Sequence, residues 1–419
     1  MGRLDRGLVS SRSTVRGAGR VPMPMIKETG LSARRRWQVG LPAESRPAEP
    51  QRESGPWLGK ARDEGLKIVG YTPGGYLPEE LVLACGAIPV GLIRGGDHSV
   101  VELAGAYICR WIDTFCRAQI GYGVSGEDPY YSVLDLLAIP ITDNHIRAVS
   151  DVLAYNTEIQ IFPFGVPHTK DEHALDYYLQ GITRLKERLQ DLTGVEITDS
   201  KLKGAISLCN RERELFREIS LMRKSTHIPI SSREFAALNH GSFLADKAVM
   251  VEILESVYQE LKERSTPSQE APRILLTGST LALGDNKVLD LIEEAGGVVV
   301  MEDFAEGIRP YWEGVKTNGD LMENLAHCYF WQRVPPAWFR PGRQRLDFLV
   351  KLAKDFNVAG VIWYQLMYRE SYKLESYYFP DILKKDTGLS MLTVESDYDA
   401  AERGPMQTRI ETFIETIRR

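Results

Sequence analysis

Hydrophobic positions fall along the chain in two alternating rhythms. Short runs that are apolar on both faces are followed by stretches whose apolar residues return every three or four positions. The first rhythm predicts buried parallel strands and the second amphipathic helices. The fullest example is Arg273 to Phe304. Ile274-Leu275-Leu276 reads as a strand that breaks at Thr277-Gly278-Ser279-Thr280. Val288, Leu289, Leu291 and Ile292 share one helix face, Gly296-Gly297 stops the helix, and Val298 to Met301 is the next strand. In such units ligands bind where the loop leaves the carboxyl end of the strand. This loop presents backbone N–H groups, two hydroxyls and Asp285, so Thr277, Gly278 and Ser279 are candidate site residues. It contains neither a Walker lysine nor a GxGxxG, and an ordinary Ser/Thr turn accounts for it equally well.

The same alternation begins near Leu66. Lys67 to Tyr71 reads as a strand, Thr72-Pro73-Gly74-Gly75 as a turn, and Pro78-Glu79-Glu80-Leu81 as a helix start whose acids suit the positive dipole end. Ile88 to Leu92 is the next strand. Val133 to Ile141 is another, and ends in the polar cluster Thr142-Asp143-Asn144-His145. His145 reads equally as a helix-start residue. Ile159 to Phe164 closes this series. From His173 to about Arg264 the helix period dominates, with a linker from Ser265 to Pro272. Beyond Met301, Glu302, Asp303, Glu306 and Arg309 gather at a strand end, to bind a polar substrate or to pair with each other. Val358 to Tyr364 and Met391 to Glu395 are the remaining strands, with Arg369 just past the first and a closing helix over Thr408 to Ile417. The pattern predicts α/β lobes over 61–170 and 272–419, with a helical segment over 171–271. Facing strand ends would enclose a cleft. Residues 1–60, rich in Arg, Ser and Pro, predict a disordered extension, and fit a transit peptide or an over-long gene start as well.

Composition narrows the partners. A net charge of -6 gives no general reason to expect nucleic acid or an anionic membrane. No apolar run approaches the roughly 20 residues of a membrane span. The five cysteines lack regular spacing, which argues against a disulfide framework and for a reducing cytoplasm. Residues 107–123 predict one helix with Cys109 and Cys116 two turns apart on a single face. One face cannot supply a four-ligand cluster, and two buried small apolar side chains are the simpler reading. Cys209 reads as packing. Residues 329–343 mix aromatics, prolines and arginines, including Arg340. Such a surface suits a nucleotide handle such as that of coenzyme A, or a proline-stiffened surface loop.

Several pieces recur in a fixed order from about residue 66 to the end. They are Pro78-Glu79-Glu80-Leu81 with Ala84-Cys85-Gly86-Ala87 and Pro89, then Arg117-Ala118 followed by Gly121. ILLTGS with IEEAGGVVVMEDF, Gly307 with Arg309, AGVIWYQLMYRES, and VESDYD with TRIETFIE complete the set. Together they resemble the 2-hydroxyacyl-CoA dehydratase family, which includes the benzoyl-CoA reductase core subunits. The resemblance implies two flavodoxin-like parallel-sheet lobes with an intervening helical segment. It also implies an acyl-CoA thioester substrate, a related sister subunit, and an ATP-dependent activator protein that delivers one low-potential electron. That electron makes a ketyl radical anion of the thioester, so that an unactivated hydroxyl leaves or an aromatic ring is reduced. A [4Fe–4S] cluster on cysteines from both lobes is implied as well. The corresponding positions fall at or near Asp113, Asp143 and Arg369, and none is a cysteine. Cys116 lies close to the first, with Cys109 further back. Arg369 is cationic at any working pH and a poor metal ligand, so an ordinary cluster is not expected.

The candidates are therefore Ser279, Glu79 and Arg369 for catalysis. Thr277, Gly278, Arg309 and Arg340 are candidates for binding the coenzyme handle, and Cys116, Cys109 and Asp143 for metal. Three readings follow: a lyase or oxidoreductase subunit, a cluster-free relative that binds acyl-CoA or a partner subunit, and an interaction protein without a small ligand.

Overall fold

The computed structural model describes residues 56–126 and 128–418. The extension predicted over 1–60 lies outside these residues up to position 55. Its last part is helical, because Pro56–Asp63 sets Leu58 and Ala61, one turn apart, into the core.

Two four-stranded, all-parallel sheets organise the chain. The first has β1 (Ile68–Tyr71), β2 (Ile88–Gly91), β3 (Leu136–Ile141) and β4 (Ile161–Gly165), in the order β2-β1-β3-β4. The second has β5 (Arg273–Gly278), β6 (Val298–Asp303), β7 (Gly360–Leu366) and β8 (Ser390–Ser396), in the order β6-β5-β7-β8. The fold is α/β with two flavodoxin-like lobes. In each lobe the order reverses beside its first strand, so the switch points lie between β1 and β3 and between β5 and β7. Crevices at the carboxyl ends of these strands are where doubly wound sheets bind ligands.

The central strands are apolar on both faces because both faces are covered. Ile274 and Leu276 of β5 and Ile362, Tyr364 and Leu366 of β7 join a core that continues into the first lobe through Ile68 and Leu137. Leu275, Val361 and Trp363, pointing the other way, join a second core with Leu254 of the helix Lys247–Glu263. The prolines Pro89 and Pro163 sit in the edge strands β2 and β4, where a missing N–H costs least. Between the sheets, four helices (Glu172–Thr193, Asp199–Met222, Ser232–Ser242 and Lys247–Glu263) fill the span predicted as helical.

The lobes are stitched backbone to backbone. Gly95 N–H donates to Leu283 carbonyl at 2.8 Å, and Leu283 N–H donates to Ile93 carbonyl at 2.9 Å. Gly96 is required there: its φ is +74°, and a Cβ would lie 2.5 Å from the Gly284 backbone.

One helix predicted from the pattern is corrected. Residues 107–123 do not form a continuous helix; one helix is His98–Ala104 and the next is Thr114–Ser125. The carboxylate of Asp113 caps the second by accepting the Cys116 N–H at 2.9 Å. Tyr107 and Trp111 are 41% and 57% exposed, so the apolar spacing across the break is not a buried face. Cys109 is consequently exposed and Cys116 buried, rather than both on one helix face.

Candidate functional site

Three loops converge where β3 and β7 end. Asp143, directly after β3, caps the helix Asn144–Asn156 by accepting N–H bonds from His145 and Ile146 at 2.9 and 3.1 Å. Asp113 caps Thr114–Ser125 in the same way. Arg369 follows β7 and precedes the helix Glu370–Thr387. Its Nη2 lies 2.6 Å from Asp143 Oδ2 and its Nη1 3.6 Å from Asp113 Oδ1. Nη1 also reaches Cys116 Sγ at 3.5 Å. His145 Nδ1 accepts the Asp113 N–H at 2.9 Å, and its Nε2 stands 3.3 Å from Glu370 Oε2. Two helix N-termini of the first lobe, each carrying the carboxylate its dipole favours, thus clamp one guanidinium of the second.

The electrostatics hold Asp143 and Arg369 in their charged forms. Burial alone would raise the Asp143 carboxyl, but Arg369 and the Ile146 and His145 N–H groups more than offset it and hold it below its ordinary value. Burial would likewise lower Arg369, yet Asp143 and Asp113 hold it higher still. The Cys116 thiol is pushed well up, first by burial and then by Asp113, so it is neutral.

The residues at this junction do not fit an iron–sulfur cluster. A [4Fe–4S] centre needs about four thiolates or equivalent soft donors. Here one neutral thiol faces a fixed cation, and the two carboxylates are spent on that cation and on capping. Cys109 is exposed and makes no part of the triad. Among the described residues no group of three or more His, Cys, Asp or Glu is disposed to hold a metal ion.

The loop after β5 is knitted into the protein. Thr277 Oγ1 donates to Asp303 Oδ2 at 2.9 Å, and Ser279 Oγ accepts the Leu366 N–H at 3.0 Å. Gly278 has φ +145°, and a Cβ there would fall 1.6 Å from the Tyr364 carbonyl oxygen, so no other residue fits. Asp285 accepts the Tyr364 hydroxyl, and burial pushes its carboxyl up to about 6. The acids after β6 are also occupied. Glu302 pairs with Arg223 at 2.6 Å, Asp303 lies 3.5 Å from Arg309 Nε, and Glu306 accepts the Leu281 N–H. Burial pushes Glu306 up to about 7.

Glu79 belongs to a different cluster. It lies 3.0 Å from Lys247 Nζ and accepts the Tyr71 hydroxyl at 2.5 Å, while Lys247 also meets Glu212 at 2.9 Å. Glu80 is paired with Arg213 at 2.7 Å. Arg340 is exposed; its backbone pairs with the segment after β4, accepting the Lys170 N–H at 3.1 Å. The fold therefore brings together Asp143, Arg369 and Cys116, sets Thr277, Gly278, Ser279 and Arg309 in one adjoining wall, and leaves Glu79, Arg340 and Cys109 apart.

Sequence reasoning passed over two residues beside the turn after β1. Arg333 and Tyr76 are 2% and 1% exposed, and both carry polar atoms without hydrogen-bond partners. The only sequence signals were the glycine pair beside Tyr76 and the aromatic–arginine composition of 329–343.

Comparison with known proteins agrees with this architecture. The sequence profile of the 2-hydroxyglutaryl-CoA dehydratase D-component matches residues 75–417. The dehydratase subunit YjiM of Escherichia coli (strain K12), so named provisionally, is 25% identical over 361 residues, 85% of this chain and 93% of the relative. The (R)-phenyllactyl-CoA dehydratase beta subunit of Clostridium sporogenes is 24% identical over 84% of this chain and 92% of its own length. A benzoyl-CoA reductase subunit of Thauera aromatica is 22% identical over 86% and 93% respectively. With the profile spanning most of the chain and both lobes built as parallel sheets, the protein belongs to the 2-hydroxyglutaryl-CoA dehydratase D-component family.

Proposed function

We propose that this chain is the cluster-free subunit of an acyl-CoA dehydratase or reductase assembly. It handles the thioester beside a related sister subunit and carries no electron itself. One observation bears the weight: the Asp113–Arg369–Asp143 triad at the joint ends of β3 and β7. A guanidinium cannot be deprotonated in a protein, and its permanent charge opposes a metal cation at the same place. The one-electron chemistry on the acyl-CoA, and the ATP-dependent activator that feeds it, therefore belong to the partner. The family's catalytic names, and the beta-subunit names of several relatives, support a place in a multi-subunit enzyme.

In this reading the chain's own residues bind and orient. The triad locks the two lobes at the mouth of the crevice. Arg309, beside Asp303 and within 3.4 Å of the Tyr372 hydroxyl, is a fixed positive group behind it. Ser279 holds β5 to β7 and positions the wall rather than attacking a substrate. The test is anaerobic purification of the chain alone and with its partner, followed by iron and acid-labile sulfide analysis. The isolated chain is expected to be iron-free and the complex to carry iron. A stoichiometric cluster in the isolated chain, lost on Cys116→Ser, would overturn the proposal.

A further inference from the structure

Buried cations in this protein are met by buried acids or, at Arg273, by the carbonyls of Phe356, Ser225 and Arg223. Arg223 has Glu302, Arg213 has Glu80, Lys247 has Glu79 and Glu212, and Arg345 has Glu375. Arg333 does not. It is 2% exposed, no carboxylate among the described residues lies within ion-pairing distance, and its Nε and Nη1 have no hydrogen-bond partner. Its remaining contacts are a long Nη2 bond to the Pro310 carbonyl at 3.4 Å and the face of Tyr329, 4.3 Å from the ring centroid. Glu80, on the Tyr329 hydroxyl, is already taken by Arg213.

Its surroundings add positive charge instead of neutralising it. Lys170 Nζ bonds the carbonyls of Trp331 and Arg333 and the Gln344 Oε1, with no carboxylate. Burial, and then Arg333, push that ammonium down to about 8. Tyr76 contributes a buried hydroxyl without a partner among the described residues, its ring stacked on Phe339 at 5.9 Å. The turn after β1 closes the arrangement. Gly75 has φ +79°, and a Cβ there would lie 2.7 Å from Arg333 Nη1. Next to it Gly74 faces open space and is partly exposed, and the N–H groups of both glycines have no partner among the described residues. Gly75 thus packs directly on the guanidinium, and Gly74 beside it is the part of the turn that opens outward.

We propose that Arg333, Tyr76 and the Gly74–Gly75 turn form a binding site for a compact oxyanion, a carboxylate or a phosphate group of a small molecule. Buried guanidinium nitrogens and a phenol O–H, unpartnered among the described residues, beside a glycine turn are the donor set such an anion takes. The site stands on its own geometry. Only the source of the anion, an acidic acyl group or the phosphates of the coenzyme handle, rests on the acyl-CoA reading above.

Calorimetry and thermal melting of the full chain test it with inorganic phosphate, free coenzyme A and glutarate as separate probes. Saturable binding of at least one is expected, with a matching rise in Tm. Arg333→Met should weaken it about tenfold or more, and Tyr76→Phe several-fold. Without ligand, Arg333→Met should melt no lower than the parent, because it removes an unmatched charge; a structural arginine would give a clear fall. Coenzyme A and phosphate without glutarate assign the site to the handle, and glutarate alone assigns it to an acidic acyl chain. No saturable binding by any probe, or equal binding by the parent and both variants, would overturn it. Should Arg333→Met fail to fold, Tyr76→Phe deletes a single oxygen and decides the matter. Iron content is independent of these outcomes, so failure here leaves the cluster-free reading where it stood.

Discussion

Two guanidinium groups lie buried against loops that leave the carboxyl ends of parallel strands, and they keep opposite company. Arg369 is held between two carboxylates that also cap helices. Arg333 has a lysine for a neighbour and a glycine turn in front of it. The same side chain is thus used once to close a crevice and once to leave it charged. Burial by itself does not say what an arginine is for; the partners its N–H groups find do. Breaking a buried pair strands a charge, whereas deleting an unmatched one relieves the fold.

The comparison is sharpest in stability. Arg369→Met leaves Asp113 and Asp143 facing each other without a counter-ion, and should cost about 3–5 kcal/mol in urea unfolding. Arg333→Met should cost nothing comparable, and equal losses in the two variants would erase the distinction. Next in size is a pH effect. Glu306, raised to about 7 by burial, keeps its proton in the folded protein above the pH where the unfolded chain loses it. The folded state then binds more protons between the ordinary carboxylate value and about 7, so this group lowers stability as pH rises through that window. His240, lowered to about 4 by burial, acts in the opposite sense, and its contribution is lost as pH falls from 6.5 toward 4. Glu306→Gln should remove its own part of that fall, worth up to about 3 kcal/mol, while Asp285, raised to about 6, still opposes the rise from His240. An unchanged profile of Tm against pH would count against the buried-carboxyl assignment.

Coupling across the triad should be smaller. A double-mutant cycle of Arg369→Met and Asp143→Asn is expected to give about 1–3 kcal/mol of interaction, and additivity would show that the lobes are held elsewhere. Smallest of all, Arg340→Ala should change stability by less than about 0.5 kcal/mol, since that guanidinium is exposed. A larger fall would mean that this exposed guanidinium makes a stabilising contact after all.

The sheets were legible because both faces of each strand are covered, and the sequence writes that as unbroken apolar runs at Ile274–Leu276 and Val298–Met301. The stretch 107–113 misled because Tyr107, Ile108 and Trp111 have helical spacing, and spacing reports apolarity rather than burial. In the site, Asp143 and Arg369 could each be singled out at a strand end. Their contact spans 226 positions, which no local pattern encodes. Arg333 was invisible for a different reason. Its distinguishing property is a set of buried N–H groups with neither counter-ion nor acceptor, and an absence of that kind exists only once every neighbour has a position.

Immediately before Arg333 the chain runs through His327–Gln332 as a π-helix, whose turn closes around one residue more than an α-helical turn. An α-helix advances by about 100° per residue and the wider turn by less, so it takes up one more residue without passing that rotation to the chain beyond. Arg333 follows directly, so its reach to the glycine turn draws on a local widening that the strands do not share.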